Sequence, residues 1–178
     1  MIMKKIILGA LISSAMCSSV FAADAGNGRV NFTGAIIDAP CSIAPESVDQ
    51  TVDLGQVSNV ALADGGKSMP RPFEIALENC DVSSLNDGVS LTFTGAQAEF
   101  DESNTILGIV GTGAGAGVQI TSGSGEVVQL AKPTAYQTLQ NGKNTLLLSA
   151  YLIGNGGDIS TITPGDFTSV ANFTLNYQ

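Results

Sequence analysis

The 178 residues contain no histidine and no tryptophan. Without His the chain lacks the commonest general base, the commonest metal ligand and every His-based catalytic triad. Seven Lys and Arg stand against 16 Asp and Glu, a formal net charge of −9. That balance argues against a nucleic-acid partner, because phosphate backbones are held by clustered basic side chains; an anionic membrane surface is an equally poor match. Nothing approaches the run of about 20 apolar residues that crosses a bilayer, so no membrane insertion is expected. No amphipathic helix of three turns is visible either. What remains is 21 Gly, with Val, Thr and Ser recurring in short runs between turn residues. This is an all-β composition, and the length suits one domain with a real core.

The first residues read as a processing signal. Met1 to Lys5 are short and positive, Ile6 to Met16 are apolar, and Val20-Phe21-Ala22 is a small-x-small cleavage site. Residues 1–22 are therefore expected to be a signal peptide, with the mature chain starting at Ala23. Cys17 invites a lipid-anchor reading, but Ser14-Ala15-Met16 lack the Leu and the small residue that such sites place there. Removal of the signal leaves two cysteines, Cys41 and Cys80, and an even pair in an exported chain is most simply one disulfide. A loop of that length contributes about 4 kcal/mol in the chain-entropy picture. The compartment is oxidising: the periplasm or beyond, for a Gram-negative source.

Along the chain, strand periodicity recurs. Ser42 to Pro45 reads as a short strand ended by Pro, and Gln50 to Val57 as a strand with Val52 and Leu54 on one face. Asn59 to Ser68 reads as a loop or a single helical turn. Arg71 to Cys80 alternates cleanly, with Phe73, Ile75 and Leu77 opposite Glu74 and Glu78. Val89 to Gly95, Gly117 to Thr121, Glu126 to Leu130, Asn144 to Ile153 and Phe167 to Tyr177 complete the set. Short strands at this spacing indicate an antiparallel sandwich of Greek-key type. Ala131 to Leu139 has some helical character, weakened by Pro133.

Several stretches imitate chemical sites. Gly66-Lys67-Ser68 resembles the tail of a phosphate loop, but Ala61 stands where that motif needs Gly, and Pro70 and Pro72 follow where it needs a helix. The glycines from Gly111 to Gly117 lack the flanking strand, helix and acid of a dinucleotide site and read as a flexible loop. Asp101-Glu102 fits an exposed acidic loop better than a calcium site. No carboxylate spacing favours a glycosidase pair, and the sequons at Asn31 and Asn172 read as chance. No catalytic residue, metal site or cofactor is expected.

Two stretches remain. Near the start, Val30, Phe32, Gly34 and Ile36 alternate with polar neighbours, but no adjacent segment offers a hairpin partner. This is either an ordinary first strand or one made to be given to another molecule. At the far end Ala171, Phe173, Leu175 and Tyr177 alternate with Asn172, Thr174 and Asn176, and Gly165 precedes the strand. That C-terminal pattern, with its penultimate Tyr, resembles the pilin subunits assembled by a periplasmic chaperone and an outer-membrane usher. The stretches Gly28 to Gly34, Asp38-Ala39-Pro40-Cys41-Ser42-Ile43, Asp49 to Gln56 and Asn79-Cys80-Asp81 agree in order and spacing. The resemblance spans the mature chain and is greatest to major rod subunits of the type 1 and P pilus group.

The resemblance implies an immunoglobulin-like fold missing its last strand, with residues 23–40 as an N-terminal extension and 41–178 as the pilin domain. Val30, Phe32, Gly34 and Ile36 would form a donor strand that fills the groove of an identical or homologous subunit. Gly165, Ala171, Phe173, Leu175 and Tyr177 would border that groove and bind the chaperone. Export through the periplasm to a surface fimbrium follows. The alternatives are a minor adaptor or terminator pilin, or, from another class, a secreted carbohydrate-binding β-sandwich. The latter is weakened by the absence of Trp and the presence of only three Tyr for sugar stacking.

Overall fold

A computed structural model describes residues 27–178. The expected signal peptide, its cleavage site and Cys17 lie outside the described residues. Residues 27–37 form a segment of their own, without helix or strand. In it Val30, Phe32 and Ile36 are 74%, 91% and 104% exposed. The remaining compact unit runs from Asp38 to Gln178.

This unit is an antiparallel sandwich. β1 (Ser42–Ile43), β2 (Arg71–Cys80), β4 (Ile106–Gly108), β6 (Ala116–Ser122) and β7 (Gly142–Gly154) form one sheet in the order β1-β2-β7-β6-β4. Alternation decides which face is buried: Ile75 and Leu77 from β2, Leu146, Leu148, Ala150 and Leu152 from β7, and Val118 and Ile120 from β6 enter the core. Opposite lie β3 (Val89–Gly95) and β9 (Ala171–Tyr177), paired in register from Val89↔Tyr177 to Gly95↔Ala171. Directly opposed residues share a face. Val89, Leu91 and Phe93 therefore point inward beside Tyr177, Leu175 and Phe173, and the Phe93 and Phe173 rings meet at 6.3 Å between centroids. β5 (Val110–Gly111) and β8 (Phe167–Thr168) form a two-stranded ribbon. A disulfide joins Cys41 to Cys80, both buried, and ties the start of β1 to the end of β2.

Departures from the sequence reading have local causes. Gln50 to Val57 is not a strand, because among the described residues no backbone lies alongside it in the role of ladder partner. After β1 the chain turns into α1 (Pro45–Val48), with Pro at the helix start where its missing N–H costs nothing. The expected single turn appears as α2 (Asn59–Leu62), capped by the Ser58 side chain. Glu126 to Leu130 contributes only one bridge, Thr121↔Val127, and residues 131–139 are extended along the free side of β3 through Thr92↔Pro133 and Val89↔Gln137. Phe167 to Tyr177 is broken between β8 and β9. The glycine run is no flexible loop: its members lie where backbones touch. A Cβ on Gly115, whose φ is +82°, would come within 2.1 Å of the Thr161 carbonyl oxygen.

Candidate functional site

On the two-stranded side the core is not fully covered. An open trough of about 1360 Å³ runs between two segments of the chain. One wall is the segment from Val48 to Asn59; the other runs from Thr163 to Phe173. The floor is core: Ile75, Leu107, Val118, Ile120 and Leu152 among others. Val52 and Val57 from the first wall, Phe167, Ala171 and Phe173 from the second, and Phe73 and Ile109 between them are half-buried and face the trough. The volume exceeds the range of about 300 to 1,000 Å³ usual for small-molecule pockets, and its shape is an elongated apolar channel.

Backbone hydrogen bonding accounts for that shape. β9 pairs with β3 along one edge; among the described residues no strand pairs with its other edge. Across the trough, residues 50–57 make no backbone–backbone hydrogen bond among the described residues. Two rows of peptide groups thus face one another over an apolar floor. Unpaired backbone edges of this kind are templates for another strand.

The sequence-derived residues fall into distinct places. Gly165, Ala171 and Phe173 line the trough. Leu175 and Tyr177 lie further along β9, half-buried against the core, and are not part of the lining. Gly165 acts through close packing: a Cβ there would sit 2.5 Å from the Gly113 amide nitrogen and the Thr112 side chain, so a side chain would push β5 and β8 apart. Burial raises the Tyr177 phenol above its ordinary pKa, and its hydroxyl has no hydrogen-bond partner among the described residues. In the N-terminal segment, a Cβ on Gly34 would meet no atom within 4 Å. Sequence reasoning noticed the alternation of Val52 and Leu54 but missed that this stretch is a wall; the same alternation, without a hairpin partner nearby, was the available clue.

Asp101 is spent on structure. Its Oδ1 accepts hydrogen bonds from the Ser103 amide (2.9 Å) and hydroxyl (2.5 Å), and its Oδ2 from the amides of Thr105 (2.6 Å) and Ile106 (2.7 Å). Burial pushes this carboxyl up, but the Ser103 hydroxyl and the Ile106, Thr105 and Ser103 amides outweigh it and hold it below the usual carboxylate range. Among the described residues no group of three or more acidic, Cys or His side chains is placed to hold a metal.

Fold and trough together define a class: an immunoglobulin-like sandwich that is one strand short. The model of the family described as fimbrial protein matches residues 30–178. The Fimbria A protein of Serratia marcescens is 51% identical over 176 residues, covering 99% of each chain. The major MR/P fimbria protein of Proteus mirabilis is 47% identical over 166 residues, 93% of this chain and 92% of that one. Among solved structures, the P pilus rod subunit matches with a TM-score of 0.70 at 34% identity, covering 79% of this chain and 100% of that chain. The chain belongs to the fimbrial protein family, as a pilin of the chaperone-usher type. It is a structural subunit of a surface fimbria, in a family of structural proteins whose members polymerise with other subunits, not a family of enzymes. The carbohydrate-binding alternative is not favoured.

Proposed function

We propose that this chain is a major, rod-forming subunit that polymerises by donor-strand exchange. Residues 23–40 are the extension and 41–178 the pilin domain. Val30, Phe32, Gly34 and Ile36 of one copy enter the trough of the next, while an outer-membrane usher presents the partners. Before that, a periplasmic chaperone lends a strand along the outer edge of β9, over Ala171, Phe173, Leu175 and Tyr177, and so shields an exposed apolar channel that would otherwise aggregate.

The observation that carries this reading is the trough itself, apolar in its floor, with residues 50–57 and the outer edge of β9 unpaired among the described residues. The segment offered to it is matched in kind: three large apolar side chains on alternate positions, all exposed. Burying Val30, Phe32 and Ile36 at about 1.5 to 3 kcal/mol each gives roughly 5 to 9 kcal/mol before backbone pairing. Ordering the segment opposes that gain at about 1 to 2 kcal/mol per residue, so the new backbone ladder decides the balance. Gly34 supplies the gap where the receiving channel is shallow.

Electrophoresis in SDS without boiling tests the reading. The full mature chain should run as a ladder that collapses on heating. The Gly34→Trp variant should run as single subunits, and because a Cβ at Gly34 meets nothing within 4 Å, that loss would reflect assembly rather than folding. Identical monomer bands from both proteins would refute strand exchange.

A further inference from the structure

The segment proposed to fill the trough carries a single charge. Among residues 27–37 only Arg29 is ionisable, and its side chain is exposed. The compact unit that would receive it is strongly acidic. From Asp38 onward its basic residues are Lys67, Arg71, Lys132 and Lys143, while of the chain's 16 acidic residues all but Asp24 lie there. The trough repeats this bias, since its lining includes Asp49, Asp53 and Asp166 but no Lys or Arg. Opposite charges on two surfaces that must meet speed their encounter and fix how they align.

Periodicity decides which acid Arg29 can reach. With Val30, Phe32 and Ile36 turned into the trough, Arg29 lies on the opposite, solvent face of the incoming strand. Along the wall Leu54 is buried and Val52 half-buried, whereas Asp49, Thr51 and Asp53 are exposed. Side chains on one face of adjacent strands meet, so Arg29 joins the row of Asp49, Thr51 and Asp53. It stands at one end of its own strand, and strand direction therefore decides which end of that row it meets. Near Gly55 the place is taken: a Cβ on that residue would come 3.4 Å from Arg71 Nη2, and Asp53 Oδ1 already accepts the Gly55 amide at 2.8 Å. A second guanidinium there would face a like charge. At the other end Asp49 is exposed and takes part in no ion pair among the described residues.

From this we infer that Arg29 is a positioning residue: its guanidinium pairs with Asp49 of the receiving copy and lays the incoming strand with its N-terminal end beside that carboxylate. The inference rests on the proposed reading of the trough, with a second copy's residues 27–37 as occupant. Both partners are exposed, so the pair adds little to the hold of the finished assembly. Its effect is on the rate of capture and on strand direction, and salt removes it.

Capture of a synthetic peptide of residues 27–37, carrying an uncharged dye and followed by fluorescence anisotropy with the full chain kept dilute, tests this. At low ionic strength the wild-type peptide should associate about two- to fivefold faster than its Arg29→Gln counterpart, the range of an exposed ion pair. At about 1 M salt, where screening acts over about 3 Å, the two rates should converge. Asp49→Asn in the receiving chain should slow the wild-type peptide by the same factor and leave the Arg29→Gln peptide unaffected, a coupling that a damaged fold would not produce. Equal rates for the two peptides at low salt would overturn the pairing. So would losses that simply add, or coupling of Arg29 to Asp53 or Asp166 in the matching Asn variants; in each case the peptide still binds and the trough reading survives. If the wild-type peptide is not captured at any concentration, that reading fails and the pairing with it.

Discussion

The two sides of this sandwich differ in how far their backbones are satisfied. On the five-stranded side, β7 is hydrogen-bonded to a neighbour along both edges, to β2 and to β6, and its inward side chains are almost wholly buried. On the other side, among the described residues, β9 has a partner along one edge and the segment facing it across the trough has none. Hydrophobic content does not explain the contrast, since both sides alternate apolar and polar residues. What differs is the supply of backbone, and no neighbouring segment within the compact unit provides it. A closed sheet resists change at every position. An open one tolerates change until a strand arrives, and that asymmetry is what a polymerising subunit requires.

The largest expected effect lies on the closed side. Cys41→Ser combined with Cys80→Ser releases a loop with a sequence separation of 39, which should cost about 4 kcal/mol by chain entropy. Thermal unfolding of the oxidised protein and of the double variant measures it, and a small loss would mean that the five-stranded side holds its edge without the bond. The comparison is sharp because β1, which the disulfide secures, is only two residues long and pairs with β2 alone.

How much of this was legible in the sequence follows the same division. β2 and β3 begin and end where alternation places them, at Arg71–Cys80 and Val89–Gly95, and β6 and β7 extend the expected runs by one or two residues at each end. These strands have partners on the same chain, so local pattern and tertiary context agree. Several of the failures lie around the trough. Gln50 to Val57 carries a strand pattern yet lacks a ladder, because pairing is a property of two segments and only one is present. β4 and β5, at three and two residues, are too short for alternation to register. The glycines at 113 and 165 could be seen, but the mutual approach of their backbones could not, since sequence spacing carries no information on which distant loops touch.

A smaller effect tests a device of the closed side, the loop that Asp101 ties beside β4. Asp101→Asn keeps the shape but replaces one accepting oxygen with a donor, so either the Thr105 and Ile106 amides or the Ser103 pair would lose their acceptor. Leaving such groups unsatisfied costs about 1 to 3 kcal/mol. Acid should mimic the change. The folded carboxyl titrates below its ordinary value, so as pH falls below about 4 the unfolded chain takes up the proton first. The contribution is therefore complete above that pH and is lost as pH drops through the folded value. Denaturation midpoints at neutral pH and near pH 3 should differ more for the wild type than for Asp101→Asn; equal differences would show that other carboxylates govern acid sensitivity.

The smallest effect belongs to the open side and has the opposite sign. Tyr177 lies opposite Val89 at the end of β9, and its buried hydroxyl has no partner among the described residues. Burying a polar group without a hydrogen bond is unfavourable, and removing an unpaired one while keeping the ring can be neutral or stabilising. Tyr177→Phe should therefore leave the thermal midpoint of the free chain unchanged or raise it slightly, by up to about 1 kcal/mol in stability. The same substitution should reduce the loss of stability above pH 10, because burial raises the phenol's folded pKa and ionisation then favours the unfolded chain. A clear destabilisation by Tyr177→Phe would mean that the hydroxyl is satisfied in solution, and that the end of β9 beyond the trough is as tightly closed as the sheet opposite.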